Sequence, residues 1–245
     1  MSTRSDVATW TQPLRAAHPE LALVGRNLVL TPVRNFIHGI FIDRTSNKDI
    51  SRAICYLTPL FDFGGSGVCF VLGHHLPIPF STAPHFQDTL TELCDQAIRE
   101  HLAPVRSIPD LLSALDSNAW FFDSSDITRH PLEHGVLLAA NGNLAAAETM
   151  LAAGLEEDRR IGAIHQAHAE RELAKRSNSA SGRVYLEQAT LRRSRIASHE
   201  PLLSMIKVAD RAGVGTLLRA RERQSVKAWG IEHLWVPEPY PVERA

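Results

Sequence analysis

Near residue 155 the chain changes character: short β-rich runs and compact apolar helices stand before it, and long, polar, arginine-rich stretches at helical spacing follow. Side-chain periods of 2 and 3.6 bury different faces, so such a chain folds as a sheet-containing part followed by a helical part. The expected fold class is α+β, with an N-terminal antiparallel β-meander of three or four strands packed with helices, then a mainly helical C-terminal region. The expected domains are an α+β domain over 1–154, with its sheet at about 27–72 and helices at about 84–154, and a helical region over 155–245 packed on it.

The strand expectation rests on short β-branched and aromatic runs bounded by turn residues. They are Asn27 to Thr31 before Pro32, Asn35 to Asp43, Ala53 to Leu57 before Pro59, and Val68 to Leu72 after Gly64-Gly65-Ser66-Gly67. No helical pattern intervenes, so these strands should pair antiparallel. The prolines cannot donate to a ladder and belong at strand ends or bulges.

Helical spacing begins with Phe86, Leu90, Leu93, Cys94, Ala97, Ile98 and Leu102, after Ser81 or Thr82 as a cap. A second helix starts at Ser107, with Asp110 at the capping-box position. Trp120-Phe121-Phe122 reads as an aromatic run docked on the core. His130 to Gly154 reads as a helix hairpin turning at Asn141-Gly142-Asn143, and the helical pattern continues to Arg176. Residues 177–182 read as a linker, followed by helices from about Tyr185 to Ser198, Pro201 to Ala212 and Thr216 to Trp229. Ile231 to Val236 could return as an edge strand.

Charge is distributed unevenly along the chain. Residues 1–150 carry 10 Lys/Arg and 15 Asp/Glu, residues 151–236 carry 15 and 10, and the tail from Pro237 is net −1. Two regions of opposite sign offer complementary faces to a partner or to a second copy, unless the fold neutralises them internally. Arginine outnumbers lysine 22 to 4, the mark of a GC-rich genome, and suggests a bacterial source. Cys55, Cys69 and Cys94 each sit in an apolar run without CxxC spacing, which points to a reducing compartment. With no apolar run of signal-peptide or membrane-span length, the expected location is the cytoplasm, with no membrane partner.

Recognisable catalytic templates are missing. No serine lies in a Gly-x-Ser-x-Gly elbow, and Gly64 to Gly67 lacks the Lys-Ser/Thr of a phosphate loop. His130 with His134 and His165 with His168 have a spacing a metal can use, yet neither pair has the intervening Glu or an obvious third ligand, so neither metal nor cofactor is expected. His38, Asp43 and Arg44, with His74 and His75, could supply acid, base and anion-binding groups if the fold brought them together. Arg192, Arg193, Arg195, Arg219 and Arg223 are candidates for anion or nucleic-acid binding, without an aromatic stacking platform among them.

The leading expectation is a non-enzymatic protein-interaction or accessory protein with a protein partner or self-association. Base rates for motif-free bacterial proteins point within that class to a toxin-neutralising, immunity-type role. An enzyme with a site assembled from scattered His, Asp and Arg ranks second, and nucleic-acid binding through the C-terminal arginine-rich helices ranks third.

Overall fold

The structure, a computed structural model, describes residues 3–44, 51–61, 70–72, 80–116, 120–122 and 130–244. The chain divides into two compact units, residues 1–126 with 220–239 and residues 127–219 with 240–245. The division falls elsewhere than at 154. The hairpin beginning at Pro131 counts with the helical unit because its glycines and leucines interlock with the helix that follows, and residues 220–239 count with the sheet because they supply part of its core.

In the first unit, β1 (Leu21–Val24), β2 (Asn27–Leu30), β3 (Phe36–Arg44), β4 (Ser51–Pro59), β5 (Phe70–Leu72) and β6 (Trp120–Phe122) form one six-stranded sheet in sequential order. Every neighbouring pair is antiparallel. The meander expected over 27–72 is present as four strands, β2 to β5, and the sheet extends beyond it on both sides. β1 is the run Leu-Ala-Leu-Val, whose Leu and Ala favour helices and which does not alternate. β6 is the aromatic run, which pairs with β5 as an edge strand.

Strand periodicity gives the sheet two buried faces. Val29, Ile37 and Tyr56 share a core with Val226 and Ile231, and Trp229, Leu234 and Trp235 pack against it. Tyr56 stacks on Trp229 with ring centroids 6.3 Å apart. The segment expected as an edge strand contributes a single parallel bridge, Val33 to Trp235. Its bonds run from Val33 N–H to the Leu234 carbonyl at 2.9 Å and from Val236 N–H to the Val33 carbonyl at 2.8 Å.

The opposite face, with Ile40 and Cys55, receives α3 (Phe86–Ala97), which runs into a π-helical turn (Ile98–Leu102) packed on β3. Neither Ser81 nor Thr82 caps α3: its N-cap is His85, in the left-handed region at φ 62° and without a side-chain cap bond. Burial pushes the Cys55 thiol up to about 12 and raises that of Cys94 as well. Both are free cysteines, inert at neutral pH.

Gly39 on β3 is fixed by close approach. A β-carbon there would stand 2.2 Å from the Leu28 carbonyl oxygen. Two short helices precede the sheet, α1 (Arg4–Trp10) and α2 (Gln12–Ala17), the first closed by a Thr3/Asp6 capping box. Trp10 meets Phe86 edge-on at 5.0 Å. α4 (Ile108–Asp116) begins as expected: Asp110 N–H donates to Ser107 Oγ at 3.3 Å, while the Asp110 carboxylate accepts from that hydroxyl at 2.7 Å and from Arg106 N–H at 3.1 Å.

The second unit is built on α5 (Pro131–Ala140), α6 (Leu144–Lys175) and α7 (Ala180–Lys207), with the start of α8 (Arg211–Trp229) and α9 (Pro241–Arg244). The expected turn joins α5 to α6, with Gly142 at φ +87° and Asn143 Oδ1 accepting from Ala146 N–H at 3.3 Å. Close packing follows from reciprocal glycines. A β-carbon at Gly135 would lie 2.7 Å from Leu151 Cγ, and one at Gly154 would lie 2.7 Å from Leu132 Cγ.

The expected linker is a turn of a few residues, because Ser179 caps α7 by accepting from Gly182 N–H at 3.2 Å. The expected break at Pro201 is also absent: the proline lies inside α7, where buried His199, Leu202, Leu203 and Ile206 outweigh one lost backbone bond. The helix runs on to Lys207 and is closed by Ala209, at φ 52°, with Asp210 N–H bonded to the Met205 carbonyl and Ala209 N–H to that of Ile206, both at 2.9 Å.

Candidate functional site

Two features stand out, a polar cleft in the sheet unit and the long helix pair of the second unit. The cleft, about 340 Å³, opens beside the ends of β2 and β3 and is lined by Glu20, Leu30, Thr31, Pro32, Arg34, Phe36, His38, Ala103 and Arg106. Phe36 and His38 reach it together because they are two residues apart on β3. The π turn closes with Ala103 N–H bonded to the Ile98 carbonyl at 2.8 Å, which carries Ala103 and Arg106 to the cleft wall.

Burial drives the His38 pKa down to about 4, helped by the nearby Arg106 guanidinium and opposed by backbone hydrogen bonds at Leu102 and Val105. His38 is therefore neutral at physiological pH, and its Nδ1 has no hydrogen-bond partner. Beside the cleft, His18 joins Glu20 at 3.0 Å and Asp95 at 2.7 Å, and Asp95 holds Arg99 at 2.6 Å. Burial opposes a charge on His18, yet its hydrogen bonds to Glu20 and Asp95 prevail and raise its pKa. Glu20 is held below the usual carboxylate range by its own backbone amide, His18 and Arg106. Asp95 is lowered by His18 and Arg99.

Among the described residues proposed from sequence for a catalytic cluster, His38 alone lines this cleft. Asp43 and Arg44 lie farther along β3, opposite Arg52 and Ser51. Five residues of strand separate His38 from Asp43 by roughly 17 Å. His74 and His75 lie outside the described residues. Among the described residues no group of three His, Cys, Asp or Glu is arranged to hold a metal. His165 and His168 instead flank the Tyr185 ring, at 5.7 and 5.1 Å between centroids.

The helix pair carries a heptad pattern that hydrophobicity conceals. Residues 182, 185, 189, 192, 196, 199, 203 and 206 of α7 are all buried or half-buried and recur at alternating steps of three and four. This is the spacing of a coiled-coil seam, but the seam contains Tyr185, Arg192 and His199. On α6 the matching positions include Leu151, Leu155, Asp158, Gly162, His165 and Ala169.

Asp158, with its side chain 4 % exposed, pairs with Arg192 and with Arg195 at 3.2 Å. Arg195 also donates to Glu133 of α5 at 2.9 Å, so one guanidinium ties all three helices together. His199 Nδ1 bonds the Arg195 carbonyl at 2.7 Å. A buried charge network of this kind fixes register, since sliding either helix would leave charges desolvated and unpaired.

Most of the arginines singled out in the sequence therefore serve within the fold. Arg192 and Arg195 hold the seam, and Arg219 lies over the Tyr240 ring at 4.7 Å with Glu243 at 3.8 Å. Arg193 reaches the Thr190 hydroxyl at 3.1 Å from an exposed position. Arg223 is exposed and belongs to the first unit. The basic excess of residues 151–236 is further offset by Arg159 with Glu200, Arg160 with Glu157 and Lys175 with Glu172.

What the sequence reading missed is the opposite face of α7. Val184 and Leu191 are 55 % and 51 % exposed, and with Glu187, Ser194 and Ser198 they form a second run of three- and four-residue steps on the outside of the helix. A shallow groove of about 510 Å³ on the adjoining flank shares Glu187, Leu191 and Ser194 with this run and is lined also by Arg183 and the partly exposed Leu186. The signal was available as two apolar residues seven apart, but two do not stand out in a polar helix. Comparison with protein-family models, curated proteins and solved structures finds no match to this chain.

Proposed function

We propose that the protein works by binding another protein along the outer face of α7 rather than by catalysis. The observation that carries this reading is the exposed Val184/Leu191 stripe on a helix whose inner face is already occupied by its own seam. An amphipathic helix fits such a stripe: its apolar edge covers Val184 and Leu191, and its polar edges meet Arg183 and Glu187. Internal pairing of the surrounding arginines supports an apolar contact over a phosphate backbone.

The register locked by Asp158 presents the face in one geometry, which limits the ordering cost of association. The test compares wild type with the Val184→Glu/Leu191→Glu variant as bait in the source organism. A stoichiometric protein retained by the wild type and lost by an equally helical variant supports the reading. Retention of every partner by the variant refutes it, and dimerisation of the wild type through the same residues would replace the foreign helix by a second copy.

A further inference from the structure

We propose that His18 is a proton-dependent clasp between α2 and α3, closed while the imidazole carries both ring protons and open at that end of α2 once one is lost. The ring stands between two carboxylates, with Nδ1 3.0 Å from Glu20 Oε1 and Nε2 2.7 Å from Asp95 Oδ1. Ionised carboxylates only accept hydrogen bonds, and a neutral imidazole has a single N–H. A neutral ring would therefore satisfy one contact and turn a lone pair on the other, so the two together require the imidazolium. Glu20 and Asp95 are the charged groups that act on the ring. Arg99 of α3 shares Asp95 at 2.6 Å, and Arg106 acts on Glu20 from the segment after the π turn. Arg15, in the last turn of α2, is bonded to the Ala8 carbonyl at 3.0 Å.

The ring sits where its proton matters to the fold. The His18 backbone closes α2, donating its N–H to the Leu14 carbonyl at 2.9 Å, and leads into β1, its carbonyl accepting from Leu21 N–H at 3.0 Å. The N-terminal helices meet α3 a second time at its start, where Trp10 packs edge-on against Phe86 and Gln87 donates to the Thr9 carbonyl at 3.0 Å. Eight residues of helix separate Gln87 from Asp95, roughly 12 Å. The attachment at Trp10 and Gln87 uses no titratable side chain, whereas the one at His18 is ionic. Loss of the proton thus releases the α2 end while the Trp10 end holds. The raised pKa of His18 sets the sense: the clasp is closed below 6.5 and opens as pH rises through the higher folded-state value. Glu20 also lines the cleft, so the same proton governs how one wall residue is held. The clasp is in the sheet unit and does not depend on the face of α7.

Amide hydrogen exchange of the full chain from about pH 6 to about pH 8.5, read as protection factors alongside the ring nitrogen signals of His18 by NMR, tests the clasp. Both ring nitrogens should be protonated at the acid end. Protection at the Arg15, His18 and Leu21 amides should then fall about fivefold across the His18 titration, the scale of a partly exposed ion pair. The Ile42 amide, bonded to the Arg26 carbonyl within the sheet, should stay level. His18→Gln should abolish the pH dependence. Asp95→Asn should remove most of it, because an amide can donate to the unprotonated ring nitrogen as well as accept from the protonated one. Gln87→Ala should lower protection at every pH and keep the dependence. If His18→Gln does not fold, Asp95→Asn decides. Level protection in the wild type, an undiminished fall in Asp95→Asn, or a parallel fall at Ile42 would overturn the proposal.

Discussion

The sheet unit and the helix pair keep their shapes by opposite means. In the sheet unit, alternating apolar residues fill a core on both faces, and its most demanding contact is the backbone approach at Gly39. In the helix pair the seam has few large apolar side chains, and Asp158, Arg192, Arg195 and Glu133 set the register within a frame of glycines and alanines. Apolar cores tolerate rearrangement at constant volume, whereas a buried charge network has one solution. The contrast separates a part held chiefly by burial from a part held chiefly by specificity.

Spectroscopy can follow each part. All four tryptophans, Trp10, Trp120, Trp229 and Trp235, belong to the sheet unit, so their fluorescence reports its unfolding, while α6 and α7 contribute heavily to the helical circular dichroism signal. The largest effect is expected at Gly39. Gly39→Ala forces a methyl group into the Leu28 carbonyl and should cost about 3 kcal/mol or more, moving the tryptophan transition to lower denaturant. An unchanged midpoint would show that the strands can separate there at little cost.

Asp158→Ala should cost about 3 kcal/mol, at the low end for a broken buried pair because Arg192 and Arg195 keep partial access to water. Loss should appear in the helical signal. Asp158→Leu and Glu133→Leu paired with Arg192→Leu and Arg195→Leu, which removes the whole network, should recover much of the stability but not the single register. Full recovery of both, with one set of sharp NMR signals, would show that the charges do not specify the geometry. A gain of about 0.5–1 kcal/mol is expected for Ala209→Gly, which relieves the left-handed backbone at the end of α7.

The pH dependence of the sheet unit separates its two histidines. His18 has a raised pKa in the folded state, so its contribution is present below 6.5 and lost as pH rises through the folded value. His38 has its pKa lowered from 6.5 to about 4, so the unfolded chain takes up the proton first and stability falls as pH drops between those values. His18→Gln should flatten the alkaline limb and His38→Gln the acid limb of the tryptophan-monitored midpoint. Identical profiles for both variants and wild type would contradict these environments.

The same contrast explains what was legible in the sequence. β2 to β5 could be read because their alternation and flanking turn residues act locally, and the α5–α6 hairpin because Asn141-Gly142-Asn143 is a turn by its own chemistry. β1 and β6 exist through pairing with neighbours, which local propensity does not encode. The unbroken α7 depends on packing around Pro201, and the arginine clusters read as surface charge because their carboxylate partners lie 34 to 62 residues away in the chain. His38 is legible as a candidate from its residue type, but its setting in the cleft with Arg106 and Glu20 emerges from the packing of the π turn on β3.

The smallest expected change in stability, within about 0.5 kcal/mol, is for Val184→Glu with Leu191→Glu, since both side chains already face solvent. That variant also tests the central functional claim most directly. Wild type and variant, matched by circular dichroism, are compared as bait for association in the source organism's extract and by sedimentation alone over a range of concentrations. The wild type should form a stoichiometric complex that the variant fails to form, with His38→Gln associating like the wild type. Undiminished association of the variant, or a wild type that remains alone under both conditions, would contradict it.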